Sequence, residues 1–279
     1  MGVVYQAWDD DLRRVVAIKT LPLMTPAEAL LLKREARMMA AVRHPNIATI
    51  FDADFFGPTP VLVMEYLENG TLRDRLRQDV RLSPDEVVRL GVALADGLAA
   101  LHRVSILHRD VKPSNIGFDE INRPKLLDFG IAKASPMSID STGDGSRDAV
   151  DRGSGNAELV RVHMTGTLPY LSPEVVEGSD PTPQADLWSL SVVLYESLTG
   201  SNPFAASTRE ETIRRIRSGE LADPRLRCPE CSESLVAFLR SALSPHHKGR
   251  PGSAVSFIER LAAVGSSSSS HTVVSQSSV

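Results

Sequence analysis

Residues 108–115 read His-Arg-Asp-Val-Lys-Pro-Ser-Asn, and residues 128–130 read Asp-Phe-Gly. These two runs place two carboxylates, a lysine and an asparagine within one short stretch of chain. Asp110 can accept the proton of a hydroxyl, and Lys112 can steady a phosphoryl group. Asn115 and Asp128 offer hard oxygens of the kind Mg2+ takes alongside nucleotide phosphates. Together they are the equipment of phosphoryl transfer, in which a protein positions groups and stabilises charge. Either run alone occurs by chance in unrelated polar loops; their order and spacing carry the reading.

The rest of the chain bounds the answer. With 279 residues, 42% hydrophobic and 24% charged, it can bury a large core as one bilobed unit or two small domains. A formal net charge of -4 and the lack of a long basic run give no reason to expect nucleic acid or an anionic membrane as partner. No stretch approaches the roughly 20 apolar residues of a membrane span, and no signal peptide is legible. The expectation is a cytoplasmic protein. Gln6 stands where N-myristoylation wants Ser or Thr. Two cysteines make no disulfide framework. Cys228 and Cys231, with His246 and His247 adjacent to one another, lack the usual zinc spacing and read as a loop before an apolar helix.

Pattern reading gives a strand-rich front and a helical rear. Val3 to Ala7 and Val15 to Leu21 form a hairpin across the turn Asp9 to Asp11, with Lys19 on its second strand. Thr25 and Pro26 open a helix over Ala27 to Val42, with Glu35 in its middle. Ile47 to Ala53 and Val61 to Glu65 read as strands, and Thr71 to Gln78 as a short helix. Ser83-Pro84-Asp85-Glu86 starts a long amphipathic helix reaching Arg103. Ile106-Leu107, Ile116 to Phe118 and Lys125 to Leu127 are short strands framing the catalytic run. Further helices are expected at Asp186 to Leu198, Arg209 to Ser218, Ser232 to Leu243 and Ser253 to Ala263. Ser135 to His163 is poor in apolar residues and reads as a mobile loop, and Gly265 to Val279 as a disordered Ser-rich tail.

This order of motifs resembles the protein kinase fold over residues 2 to 264, and within it the eukaryotic-like bacterial serine/threonine kinases. The implied architecture is α+β and bilobed: an antiparallel-sheet N-lobe over residues 1–66 with its first strand missing, and a mainly helical C-lobe over residues 67–264 with an activation segment at 128–174. The resemblance implies ATP and Mg2+, with Mn2+ as an alternative, and protein substrates carrying Ser or Thr. It makes Asp110 the base, with Lys112 and Asn115 beside it, and Asn115 and Asp128 the metal ligands. Lys19 would bind phosphates and pair with Glu35. Val4, Ala17, Met64, Glu65 and Leu67 would meet the nucleotide, Met64 at the back of the pocket and the last two at the hinge. Thr167 would contact Asp110 and Lys112, Glu174 would pair with Arg250, and Asp186 would brace the catalytic loop. Gly130 would let the Asp128 segment swing. Thr165, Thr167 and the serines and threonines of the 135–163 loop are candidate autophosphorylation sites, reached through a dimer of two copies, and Arg109 would dock such a phosphate.

One departure stands out. The family's glycine-rich loop reads Gly-x-Gly-x-x-Gly-x-Val, and only Gly2-Val3-Val4 matches its end. The expectation is that Met1 is a misplaced start or that the chain is a fragment. Without that loop's lid over the phosphates the chain is expected to bind ATP weakly, which leaves a scaffold-type pseudokinase as the alternative.

Overall fold

The computed structural model describes residues 3–21, 25, 34, 36–57, 59–78, 81–128 and 166–268. Four antiparallel strands come first: β1 (Val4–Asp9), β2 (Arg14–Thr20), β3 (Ile50–Phe56) and β4 (Thr59–Glu65), in the sheet order β1-β2-β4-β3. The β1–β2 turn closes locally, where the Leu12 N–H donates to Asp9 Oδ1 at 3.0 Å. Register sets Lys19 opposite Val4 on one side and opposite Leu62 on the other, and sets Ala17 opposite Met64. Ala17, Leu62 and Met64 are buried, so the inner face of this sheet is the apolar one. Of the expected helix at 27–42, residues 36–40 are helical and most of the rest, Glu35 included, lies outside the described residues.

Helices follow as α1 (Leu72–Arg77), α2 (Pro84–Arg103), α3 (Pro173–Val176), α4 (Pro183–Thr199), α5 (Arg209–Ser218), α6 (Glu233–Ala242) and α7 (Ala254–Ser268). The small hairpin β5 (Ile116–Phe118) and β6 (Pro124–Leu126) lies between α2 and α3. Capping boxes start α1 and α2: Thr71 exchanges bonds with Asp74, and Ser83 with Glu86. Each such cap is worth about 1 kcal/mol to the helix it starts. Helix α4 is buried on nearly every side, with Trp188 stacked on Phe204 at 5.4 Å. Its hydroxyls stay satisfied because Ser189, Ser191, Ser197 and Thr199 donate to carbonyls four residues back. Gly91 lets α2 approach α4 and α7, since a Cβ there would stand 2.5 Å from Leu261 and 2.7 Å from Leu194.

Several boundaries differ from the sequence reading, three of them instructively. The strand expected from Ile47 begins at Ile50, because residues 46–48 turn their backbone to β6 instead: Leu126 N–H donates to Asn46 O at 2.9 Å and Ala48 N–H to Leu126 O at 3.0 Å. Ile106 and Leu107 are no strand; the Ile106 N–H caps α2 by donating to Leu101 O. Helix α7 continues through Ser268, into what was read as a Ser-rich tail. Once a helix is nucleated each further residue adds a hydrogen bond, and at Gly265 the helix still runs close to α2, since a Cβ there would stand 3.5 Å from Val88. Residues 269–279 lie outside the described residues.

The Cys228–Cys231 segment is the loop before α6, with Ser232 as the helix cap. Both thiols are buried, and that desolvation pushes them up to about 12 and about 11, away from the thiolate a metal would need. Among the described residues no group of three or more His, Cys, Asp and Glu side chains gathers as a metal cage.

Candidate active site

The loop between α2 and β5 is held from below by Asp186, in the first turn of α4. Its carboxylate, 3% exposed, accepts the His108 N–H at 2.9 Å and the Arg109 N–H at 2.8 Å, and lies 2.8 Å from His102 Nε2. Arg109 has φ +64°, a left-handed conformation that costs a non-glycine residue roughly 1–2 kcal/mol. Hydrogen bonds to a carboxylate contribute about 1.5–3 kcal/mol each, enough to hold it there. His108 is fully buried, and desolvation depresses its pKa despite the nearby Asp186, Asp110 and Asp128, so the ring is neutral.

That bend projects Asp110 into a cluster. Lys112 Nζ lies 2.8 Å from Asp110 Oδ2, and Asn115 Nδ2 donates to the same oxygen at 2.8 Å and to the Asp110 carbonyl at 2.9 Å. The other oxygen, Oδ1, accepts the Thr167 hydroxyl at 3.0 Å, while Lys112 Nζ donates to that hydroxyl at 3.0 Å. The carboxylate is therefore oriented at Oδ2 by an ammonium and an amide, and presents Oδ1 to a hydroxyl donor. With its amide hydrogens directed to Asp110, Asn115 presents Oδ1 as an acceptor, which takes the Ser114 hydroxyl at 3.3 Å.

The second carboxylate follows β6. Asp128, at φ +56°, pairs with Lys19 Nζ at 2.7 Å, which joins β2 to the segment after β6. Leu127 N–H donates to Asn115 O at 2.8 Å, so Asn115, just before β5, and Asp128, just after β6, are held at the same end of the β5–β6 hairpin. Lys19 thus has a partner that the sequence reading did not assign, while Glu35, Phe129, Gly130 and Thr165 lie outside the described residues. Met64 is buried behind Ala17. Val4, by contrast, is 56% exposed on β1. Glu65 uses its side chain as a tie: its carboxylate takes Lys125 Nζ at 2.6 Å and the Thr49 N–H at 3.0 Å. Leu67 covers Gly117, where a Cβ would fall 2.4 Å from Leu67 Cδ1, so any side chain at 117 would displace the Leu67 tip.

The family model described as "Protein kinase domain" matches residues 1–260. The chain belongs to the protein kinase family. A probable serine/threonine-protein kinase pknA2 of Bifidobacterium longum is 30% identical over 268 residues, covering 94% of this chain and 33% of the relative. Serine/threonine-protein kinase PknB of Mycobacterium leprae is 33% identical over 257 residues, covering 90% of this chain and 39% of the relative. Serine/threonine-protein kinase PknK of Mycobacterium tuberculosis is 32% identical over 264 residues, 93% of this chain and 22% of the relative. The chain thus spans well under half the length of these curated relatives. The antiparallel four-stranded lobe and the helical lobe behind it are the two lobes of a kinase domain.

Within this kinase domain the segment after Thr167 is anchored by a buried ion pair. Arg250 Nη1 donates to both Glu174 oxygens at 2.9 and 3.1 Å, and its guanidinium also covers Trp188 at 4.6 Å. Several contributors escaped the sequence reading. His102 and Lys125 carry no motif; what places them is the end of α2 beside Asp186 and the β6 contact with Glu65. Only the folded chain brings those elements together.

Proposed function

We propose that this chain transfers the γ-phosphoryl group of ATP to serine or threonine hydroxyls of protein substrates. The observation that carries the reading is the Asp110 carboxylate, held at Oδ2 by Lys112 and Asn115 and accepting a threonine hydroxyl at Oδ1. A substrate hydroxyl presented at Oδ1 would be oriented in the same way. A free aspartate, with a reference pKa near ~3.9, is a weak base, so its service is positioning until the leaving bond has loosened. Lys112, beside it, neutralises charge on the group in flight.

The donor set suits a nucleotide with its metal. Asn115 Oδ1 and the Asp128 carboxylate are hard oxygens, and Mg2+ is usually held by one or two protein oxygens together with phosphates rather than by a closed protein cage. We assign those two residues to Mg2+, with Mn2+ as the alternative, and Lys19 to the phosphates. When bound, the metal would neutralise phosphate charge. Ala17, Met64 and the Glu65–Leu67 hinge are assigned to the adenine side, Val4 to the outer edge and Glu35 to Lys19.

Residues 1–66 are proposed as the nucleotide-binding lobe and 67–264 as the catalytic lobe. A second copy of the chain is proposed as one substrate, for autophosphorylation of the 128–174 segment. No helix among the described residues is long and apolar enough to cross a membrane, and the proposed compartment is the cytoplasm, where ATP is supplied. The test is radiolabelled ATP with Mg2+ and a set of generic protein substrates, followed by phosphoamino-acid analysis. Label on serine and threonine that disappears on removing the metal is the expected result. No label on any protein, the chain included, would refute the reading.

A further inference from the structure

A cleft of about 320 Å³ opens beside Lys112, on the α1 side of the catalytic loop. Arg73 and Arg77 on α1, Lys112 and Ser114 on the loop, and Tyr170 and Glu196 across from them are among its walls. Three of these are cations and one is an acid. The acid is already engaged: the Tyr170 hydroxyl donates to Glu196 Oε2 at 2.7 Å, and burial pushes this carboxyl above its ordinary range. Lys112 is engaged too, by Asp110 and Thr167.

Arg73 and Arg77 are different. Both are exposed, they stand four residues apart and so share a face of α1, and among the described residues neither makes an ion pair. The neighbouring Asp74 carboxylate is taken up by the helix cap, where it accepts the Thr71 N–H at 3.2 Å. Among the described residues, the cleft is therefore a cationic surface whose only wall carboxylate is bonded to a tyrosine. Lys112 belongs both to this cleft and to the site where the acceptor hydroxyl must lie. An extended peptide advances about 3.3 Å per residue, so a segment bound with its hydroxyl at Asp110 passes the cleft within a few residues.

We infer that this cleft selects protein substrates bearing an anionic side chain a few residues from the phosphorylated hydroxyl, with Arg73 and Arg77 as the specificity-determining residues. The inference rests on the phosphotransfer reading above and names its substrate class. The anion has two sources, the carboxylate of Asp or Glu and the phosphate of a residue modified beforehand. Arginine at the same peptide position is disfavoured by charge repulsion.

The test is a set of threonine peptides in which alanine, glutamate, phosphoserine or arginine is moved through about five positions on each side of the acceptor. At one or more adjacent positions glutamate or phosphoserine raises kcat/KM over alanine by roughly three- to tenfold, the scale of two exposed ion pairs, and arginine lowers it. A gain with phosphoserine alone assigns the anion to prior phosphorylation; a gain with glutamate assigns it to acidic sequence. In R73E/R77E, two exposed substitutions, the ratio of glutamate to arginine peptides inverts. Equal rates at every position, or a preference that survives in that variant, would overturn the inference.

Binding of fluorescent peptides with valine at the acceptor position, followed by anisotropy, separates this inference from its premise. Charge-dependent binding without any transfer would remove the phosphotransfer reading and keep the cleft. Transfer without charge selectivity would do the reverse.

Discussion

The Thr167 hydroxyl donates to Asp110 Oδ1 and simultaneously accepts from Lys112, at 3.0 Å in each case. One threonine therefore couples the segment leading into α3 to both charged groups of the catalytic loop. Thr167 is 5% exposed, so neither bond is shared with bulk water. Replacing it by valine keeps the shape and removes both bonds. Hydrogen bonds to charged groups are worth about 1.5–3 kcal/mol, which predicts a fall in kcat of roughly ten- to a hundredfold. T167S should recover most of the loss, and KM for ATP should stay near that of the parent. Steady-state kinetics of the two variants decide it; equal kcat for T167V and the parent would show that the coupling is incidental.

Asp110 itself is the sharper case. Asn at this position preserves size and still accepts from Asn115, but cannot take a proton. A positioned general base contributes about 10²–10⁴ in rate, and D110N should lose that much. Thermal unfolding should remain close to that of the parent chain. A variant that folds and transfers phosphate at the parent rate rules out the assignment of Asp110 as base.

The Glu174–Arg250 pair predicts a pH effect on stability. Burial alone would raise the Glu174 pKa, and the hydrogen bonds and charge of Arg250, with smaller contributions from the backbone and Ser172, outweigh it to leave the pKa below its ordinary value. A carboxyl depressed in the folded state contributes stability that is complete above the unfolded pKa, about 4.3, and is lost as pH falls through the folded one. Acid unfolding should therefore steepen below about pH 4.3, and E174Q should flatten that limb. At neutral pH R250A, which strands a buried carboxylate, should cost about 3–5 kcal/mol. Urea melts across pH check both. A flat acid limb in the parent would show the pair to be energetically silent.

Much of this site was legible because its chemistry is local in sequence. Asp110, Lys112 and Asn115 lie within six consecutive residues, and a loop that short keeps them together in almost any fold. Ser83 and Thr71 likewise announced helix starts, since a capping box is read within four residues. What stayed hidden depends on distant elements. Lys125 answers Glu65 across 60 residues, and His102 answers Asp186 across 84, with no periodicity to connect them. The late start of the strand expected from Ile47 has the same cause: the backbone partner of Ile47, Leu126, lies in the distant β6. Helix α7 runs on through Ser268 because the continuity of an established helix outweighs the serine composition of its last turn.

The Lys19–Asp128 ion pair, 2.7 Å long, makes separable predictions for nucleotide and metal. If Lys19 contacts phosphates directly, K19M weakens binding of the nucleotide whether or not metal is present. If Asp128 acts through the metal, D128N leaves metal-free binding nearly intact and removes only the increment that Mg2+ adds. A charge-assisted contact of about 1.5–3 kcal/mol corresponds to roughly a ten- to hundredfold loss in each case. Calorimetric titration of ADP and ATP, with Mg2+ and with a chelator, gives the four affinities needed for each variant. On the proposed assignment, Asp128 would exchange the Lys19 ammonium for a metal ion when nucleotide binds. Lys19 is then free to turn to phosphate, so in the parent chain Mg2+ and nucleotide should each tighten the other's binding. That mutual effect should shrink in both variants. Independent binding of metal and nucleotide to the parent chain would mean that Lys19 and Asp128 do not share the site.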